Sequence, residues 1–116
     1  MKRFAEAIYG ELFSRPSLVD PLISYTDLLS QLSAPLHVNP RSPELSEALL
    51  EIVEACQRKD LAVLPALVIN SQLGRPDPGY FIAMGQDDLT EEEQIREWRA
   101  EVERVKPTSY PFDLSS

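Results

Sequence analysis

The sequence predicts an α+β fold in which three helices are followed by a two-stranded β-hairpin and closed by one more helix. Three observations predict it. Apolar residues recur at helical spacing near both ends and in the middle of the chain. A compact apolar run at 64–70 (LPALVIN) is followed by dense turn chemistry at 70–79. Capping residues stand where the periodic segments begin.

The first helix is expected over 2–14, where Phe4, Ala5, Ile8 and Leu12 share one face and Pro16 supplies the stop. Pro21 punctuates the loop that follows, and Ser24 reads as an N-cap with Asp27 three residues on, an acidic variant of the capping box. Leu28, Leu29 and Leu32 then form the apolar side of a short second helix, and 33–41, holding Pro35 and Pro40, is a loop. The third helix has the strongest signature. Ser42 is its N-cap, Pro43 suits the first helical position and Glu44 favours the positive end of the dipole. Leu45, Ala48, Leu49, Ile52, Val53 and Cys56 follow as one stripe, and Arg58 and Lys59 stand at the negative end.

The run at 64–70 reads as a strand entered through Pro65, and 80–83 (YFIA) as its returning partner across a long tip. Thr90 with Glu93 makes a capping box for the last helix, whose stripe is Ile95, Trp98, Val102 and Val105 before Pro107 stops it. Residues 1–106 are thus expected to form one domain and 107–116 a C-terminal tail. In that tail Tyr110 and Phe112 are expected to strap onto the core, and Trp98 to pack between the last helix and the first three.

The length of 116 residues suffices for a core without disulfides, and 43% apolar with 26% charged residues is an ordinary globular composition. The single Cys56 fits a reducing compartment, no run of 18 apolar residues is present, and Glu6 and Glu11 interrupt any leader core. A cytoplasmic protein with no membrane partner is expected. The net charge of −8 is unevenly placed. Lys2, Arg3, Arg15 and Arg41 balance Glu6, Glu11, Asp20 and Asp27, so the whole surplus lies in 44–116. Such a field repels phosphate backbones and anionic lipid.

Signs of chemistry are sparse. His37 is the only histidine, in a loop without an identifiable partner, and one His and one Cys do not make a metal site. Asp87, Asp88 and Glu91 to Glu93 are read as complements to a helix dipole rather than a cation site. The glycines at 10, 74, 79 and 85 are too scattered for a phosphate loop. No catalytic residue, metal or cofactor is assigned, and Cys56 is read as a small buried hydrophobe. An enzyme is not expected.

The predicted order of elements is that of a winged helix, with the second and third helices as the helix-turn-helix and 64–83 as the wing. The segment ISYTDLLSQL at 23–32 resembles the helix that opens the helix-turn-helix in the C-terminal domain of DNA alkyltransferases and of alkyltransferase-like proteins. The resemblance covers roughly 20–83. The LPALVIN and GRPDPGYF segments, with a Trp-bearing helix downstream, are also similar to a group of small uncharacterised bacterial proteins. Alkyltransferases carry a nucleophilic Cys in a Pro-Cys-His-Arg run after the third helix. Here the corresponding stretch is LPAL, so the resemblance implies the fold and a DNA-binding surface but not alkyl transfer.

Two functional readings follow. On the outer face of the third helix Glu44, Glu47, Glu51 and Glu54 recur at spacings of 3, 7 and 10, a stripe of carboxylates where a recognition helix would meet phosphates. This points to a non-catalytic regulatory module that binds a protein partner with a basic surface, negative charge speeding and orienting association. The bland reading of the same stripe is a solvated helix face. The alternative function is a winged-helix DNA-binding protein, a transcriptional regulator or alkyltransferase-like binder, contacting nucleic acid through Lys2, Arg3, Arg15, Arg41 and Arg75. A homodimer is compatible with either.

Overall fold

The computed structural model describes residues 3–32 and 43–114 and is an α+β fold built almost entirely of helices. In chain order these residues form α1 (Arg3–Leu12), β1 (Ile23–Ser24), α2 (Tyr25–Ser30), α3 (Pro43–Arg58), β2 (Val68–Ile69), α4 (Pro78–Ala83) and α5 (Glu91–Val105). Short 3₁₀ turns at Arg15–Ser17 and Leu64–Leu67 complete the set. The expected loop residue His37, the N-cap Ser42, and Lys2 and Arg41 lie outside the described residues.

The helix ends follow local chemistry. Asp27 N–H donates to Ser24 Oγ (3.1 Å) and caps α2. At α5 the capping box is complete: Glu93 N–H donates to Thr90 Oγ1, and Thr90 N–H to Glu93 Oε1. Those Thr90 hydrogen bonds, the backbone one foremost, hold the Glu93 carboxyl below its usual range. Both α3 and α4 end in Schellman motifs. After α4, Gln86 N–H donates to Phe81 O and Gly85 N–H to Ile82 O, with Gly85 at φ +71°. After α3, Leu61 N–H donates to Cys56 O and Asp60 N–H to Gln57 O, but here the left-handed position (φ 55°) is held by Asp60.

The expected β-hairpin is absent and its two arms are different elements. In the first arm only Val68 and Ile69 are extended, and they pair in parallel with β1, Ile23 opposite Val68 and Ser24 opposite Ile69. Leu64–Leu67 instead coils into a 3₁₀ turn, because Pro65 pre-sets the φ of its start and all four residues are buried. The second arm, 80–83, is the body of α4, which Pro78 initiates and Gly85 terminates. A four-residue apolar run has no period to separate strand from helix, and the flanking Pro and Gly decide it. The turn chemistry between the arms is real. Asn70 Oδ1 accepts from Gln72 and Leu73 N–H, and Asn70 forms a lone antiparallel bridge with Arg75.

The core is organised around the buried segment 62–68. Its 3₁₀ turn packs against α1, α3 and α5, where Ile8, Leu12, Ile52, Leu64, Leu67 and Val105 are fully buried. Most of this segment lies outside sheet and α-helix, so side chains complete the pairing of its backbone groups. Val63 N–H donates to Glu101 Oε2 (2.7 Å), Trp98 Nε1–H to Ala66 O (2.8 Å), and Tyr110 OH to Ala62 O (2.6 Å). Two of these partners come from α5 and one from the tail. The tail is held further by Tyr9 OH donating to Pro111 O and by buried Leu114. Tyr110 thus straps onto the core as expected, whereas Trp98 is buried against the 3₁₀ turn after α3, and Phe112 is 88% exposed with its ring perpendicular to that of Phe13.

Candidate functional site

Helix α3 is amphipathic in the predicted sense. Leu45, Ala48, Ile52, Val53, Ala55 and Cys56 are buried against α1 and the 3₁₀ turn, with Leu49 partly so. At about 100° per residue the four glutamates fall within an arc of about 80° on the far side. Glu44, Glu47 and Glu54 are exposed, while Glu51 is half-buried and has a partner of its own. The solvent-facing part of the acidic stripe is therefore Glu44, Glu47 and Glu54.

Beside that stripe lies a groove of about 300 Å³ between α3 and α4. Leu45, Leu49, Leu50 and Val53 form the α3 wall, Tyr80, Ile82 and Ala83 the α4 wall, and Pro65 contributes to the lining. The polar lining includes Ser46, Glu47, Asp77 and Tyr25. Tyr25 OH accepts from Asp77 N–H (3.0 Å), and Asp77 Oδ1 accepts from the Asn70 amide (2.9 Å), so this end is rigidly built. Burial, with Asp77 nearby, raises the Tyr25 hydroxyl to about 12, so it is neutral at physiological pH.

Leu50 is 41% exposed and Ile82 62%. Ile82 is shared with a second hollow of about 290 Å³ on the other side of α4, where Leu73 is 48% exposed. Tyr80 and Phe81 turn inward and pack edge to face. Sequence reasoning missed this aliphatic surface, although Leu50 carries a signal as a leucine standing off the α3 stripe. Ile82 carries none, because its exposure depends on α4 being a helix.

Of the candidate nucleic-acid residues, Lys2 and Arg41 lie outside the described residues, and two of the other three are engaged within the fold. Arg15 donates through Nε to Pro21 O (2.9 Å) and through Nη2 to Leu22 O (3.2 Å), clamping the loop before β1. Arg75 pairs with Glu91 (2.7 Å). Arg3 is exposed at the start of α1. Cys56 is fully buried, and burial pushes its thiol up, the opposite of what a nucleophile needs. Among the described residues no group of three or more His, Cys, Asp or Glu could hold a metal ion. None of their helices is long and apolar enough to cross a membrane. Compared with protein families, curated proteins and solved structures, the chain matches none of them.

Proposed function

We propose that this chain is a non-catalytic binding module that captures a basic protein partner on the outward face of α3. The observation that carries the reading is the stripe of Glu44, Glu47, Glu51 and Glu54 along α3, in which Glu44, Glu47 and Glu54 are exposed and the other face of the helix is packed into the core. Carboxylates so arranged raise the association rate with a cationic surface and orient it on arrival. A winged-helix DNA-binding role has less support. No hairpin wing follows α3, its outer face is acidic, and Arg15 and Arg75 are already engaged within the fold.

The test is a titration of the chain with poly-lysine and, separately, with duplex DNA over a range of salt concentrations. Poly-lysine is expected to bind with affinity that falls as salt rises. The triple variant Glu44→Gln, Glu47→Gln, Glu54→Gln should weaken it by about tenfold. Equal binding by the variant, or tighter binding to DNA than to poly-lysine, rejects the proposal.

A further inference from the structure

The groove between α3 and α4 shares a wall with the acidic face, and the two surfaces together describe one ligand. We infer that the groove seats the apolar side of an amphipathic helix from the partner protein, with Lys or Arg on the flanks of that helix meeting the glutamates of α3. This inference rests on the reading of α3 as an acidic docking face and adds an apolar seat to it.

Three features select that occupant. First, the walls are apolar and wet: Leu50 and Ile82 are exposed on opposite sides, and through Ile82 the apolar surface continues to Leu73. A joined patch of this kind is distinct from the scattered single apolar residues of an ordinary surface. Second, the walls are helices whose backbone groups are bonded internally, and beside them Pro76 and Pro78 have no N–H while Asp77 N–H is held by Tyr25. An extended peptide gains its affinity from backbone pairing that this groove does not offer. A helix satisfies its own backbone and inserts side chains at one-turn spacing, which an apolar trough accepts.

Third, charge chooses the partner. Glu47 and Asp77 belong to the lining, and Glu44, Glu51 and Glu54 continue along α3. A second copy of the chain would bring a net −8 against −8, with acidic rims facing each other in a two-fold arrangement. Nucleic acid and anionic membranes meet the same repulsion. A helix with apolar anchors and basic flanks satisfies both the floor and the rim.

The experiment uses labelled peptides of about three helical turns, built only from Leu and Lys. One places Leu at i, i+3, i+4 and i+7; a second has the same composition in scrambled order; a third carries Glu in place of Lys. Fluorescence anisotropy against the whole chain should show the amphipathic basic peptide binding at least about tenfold tighter than the scrambled one. The double variant Leu50→Ser, Ile82→Ser should abolish that difference while leaving the circular dichroism unchanged and lowering Tm by only about 4 °C, since Ile82 is largely exposed and Leu50 partly so.

Equal binding of the ordered and scrambled peptides overturns the groove inference and leaves the acidic docking face standing. No binding of either overturns both. Binding of the acidic peptide as tightly as the basic one overturns the charge argument. Self-association of the chain that the Leu50→Ser, Ile82→Ser variant abolishes, read by sedimentation equilibrium, replaces the partner helix with a second copy and overturns the inference.

Discussion

Replacing Glu101 by alanine tests the account of the core most directly. The carboxylate is 6% exposed and makes two bonds of 2.7 Å, one from Val63 N–H and one from Arg104. The Arg104 pair is open to solvent on the arginine side and contributes at most about 1 kcal/mol. The Val63 bond weighs more, because its loss strands a buried backbone donor at a cost of about 1–3 kcal/mol. Together Glu101→Ala should destabilise the fold by about 1–4 kcal/mol. For a chain of this length 1 kcal/mol corresponds to about 4 °C, so Tm should fall by about 4–16 °C.

Glu101→Gln separates acceptor from charge. Its amide oxygen can still accept from Val63, so it should lose less than half of what the alanine variant loses. Urea unfolding followed by circular dichroism gives both values, with an unchanged slope confirming that stability alone has moved. Hydrogen exchange at the Val63 amide reports the same bond locally. An alanine variant within about 0.5 kcal/mol of the parent refutes the reasoning, as does a glutamine variant equally unstable, since the acceptor would then not be what matters.

Three further outcomes are expected. Trp98→Phe keeps the aromatic packing but removes the donor to Ala66 O, and should lower the urea stability by about 1–2 kcal/mol; an unchanged midpoint contradicts this. Asp60→Gly relieves a left-handed non-glycine residue and removes a negative charge from the carboxyl end of α3, so it should raise Tm by about 4 °C, while Gly85→Ala at the equivalent position after α4 should lower it by a similar amount. Alkaline titration should show the four tyrosines ionising together with unfolding. Burial raises Tyr9 and Tyr25 to about 12, and Tyr80 and Tyr110 further still, against 10.0 for a free phenol. The unfolded chain therefore releases protons first, so stability holds below about pH 10 and falls as pH rises through about 12. Phenolate absorbance rising as for free tyrosine, with the circular dichroism intact, would contradict the burial of these rings.

The legibility of this protein divides by distance along the chain. Ser24, Thr90 and Glu93 announced their caps because a cap is made within three residues, and the α3 and α5 stripes were readable because helical spacing is local. The glutamate face of α3 follows from the same period. The groove was only half legible: its α3 wall is periodic, but its α4 wall comes from a run too short to show a period.

By itself the sequence determined the long helices, the N-caps of α2 and α5 and the acidic surface. The tertiary structure decided that Val68 and Ile69 pair in parallel with residues 45 positions earlier instead of folding back on Tyr80 and Phe81. It decided that Glu101, spelled like any surface acid, is a buried acceptor, and that Trp98 and Tyr110 close the backbone of 62–66. The physical reason is common to all of these. A buried segment outside regular secondary structure must find hydrogen-bond partners wherever packing brings them, and those partners bear no fixed spacing to the residues they complete.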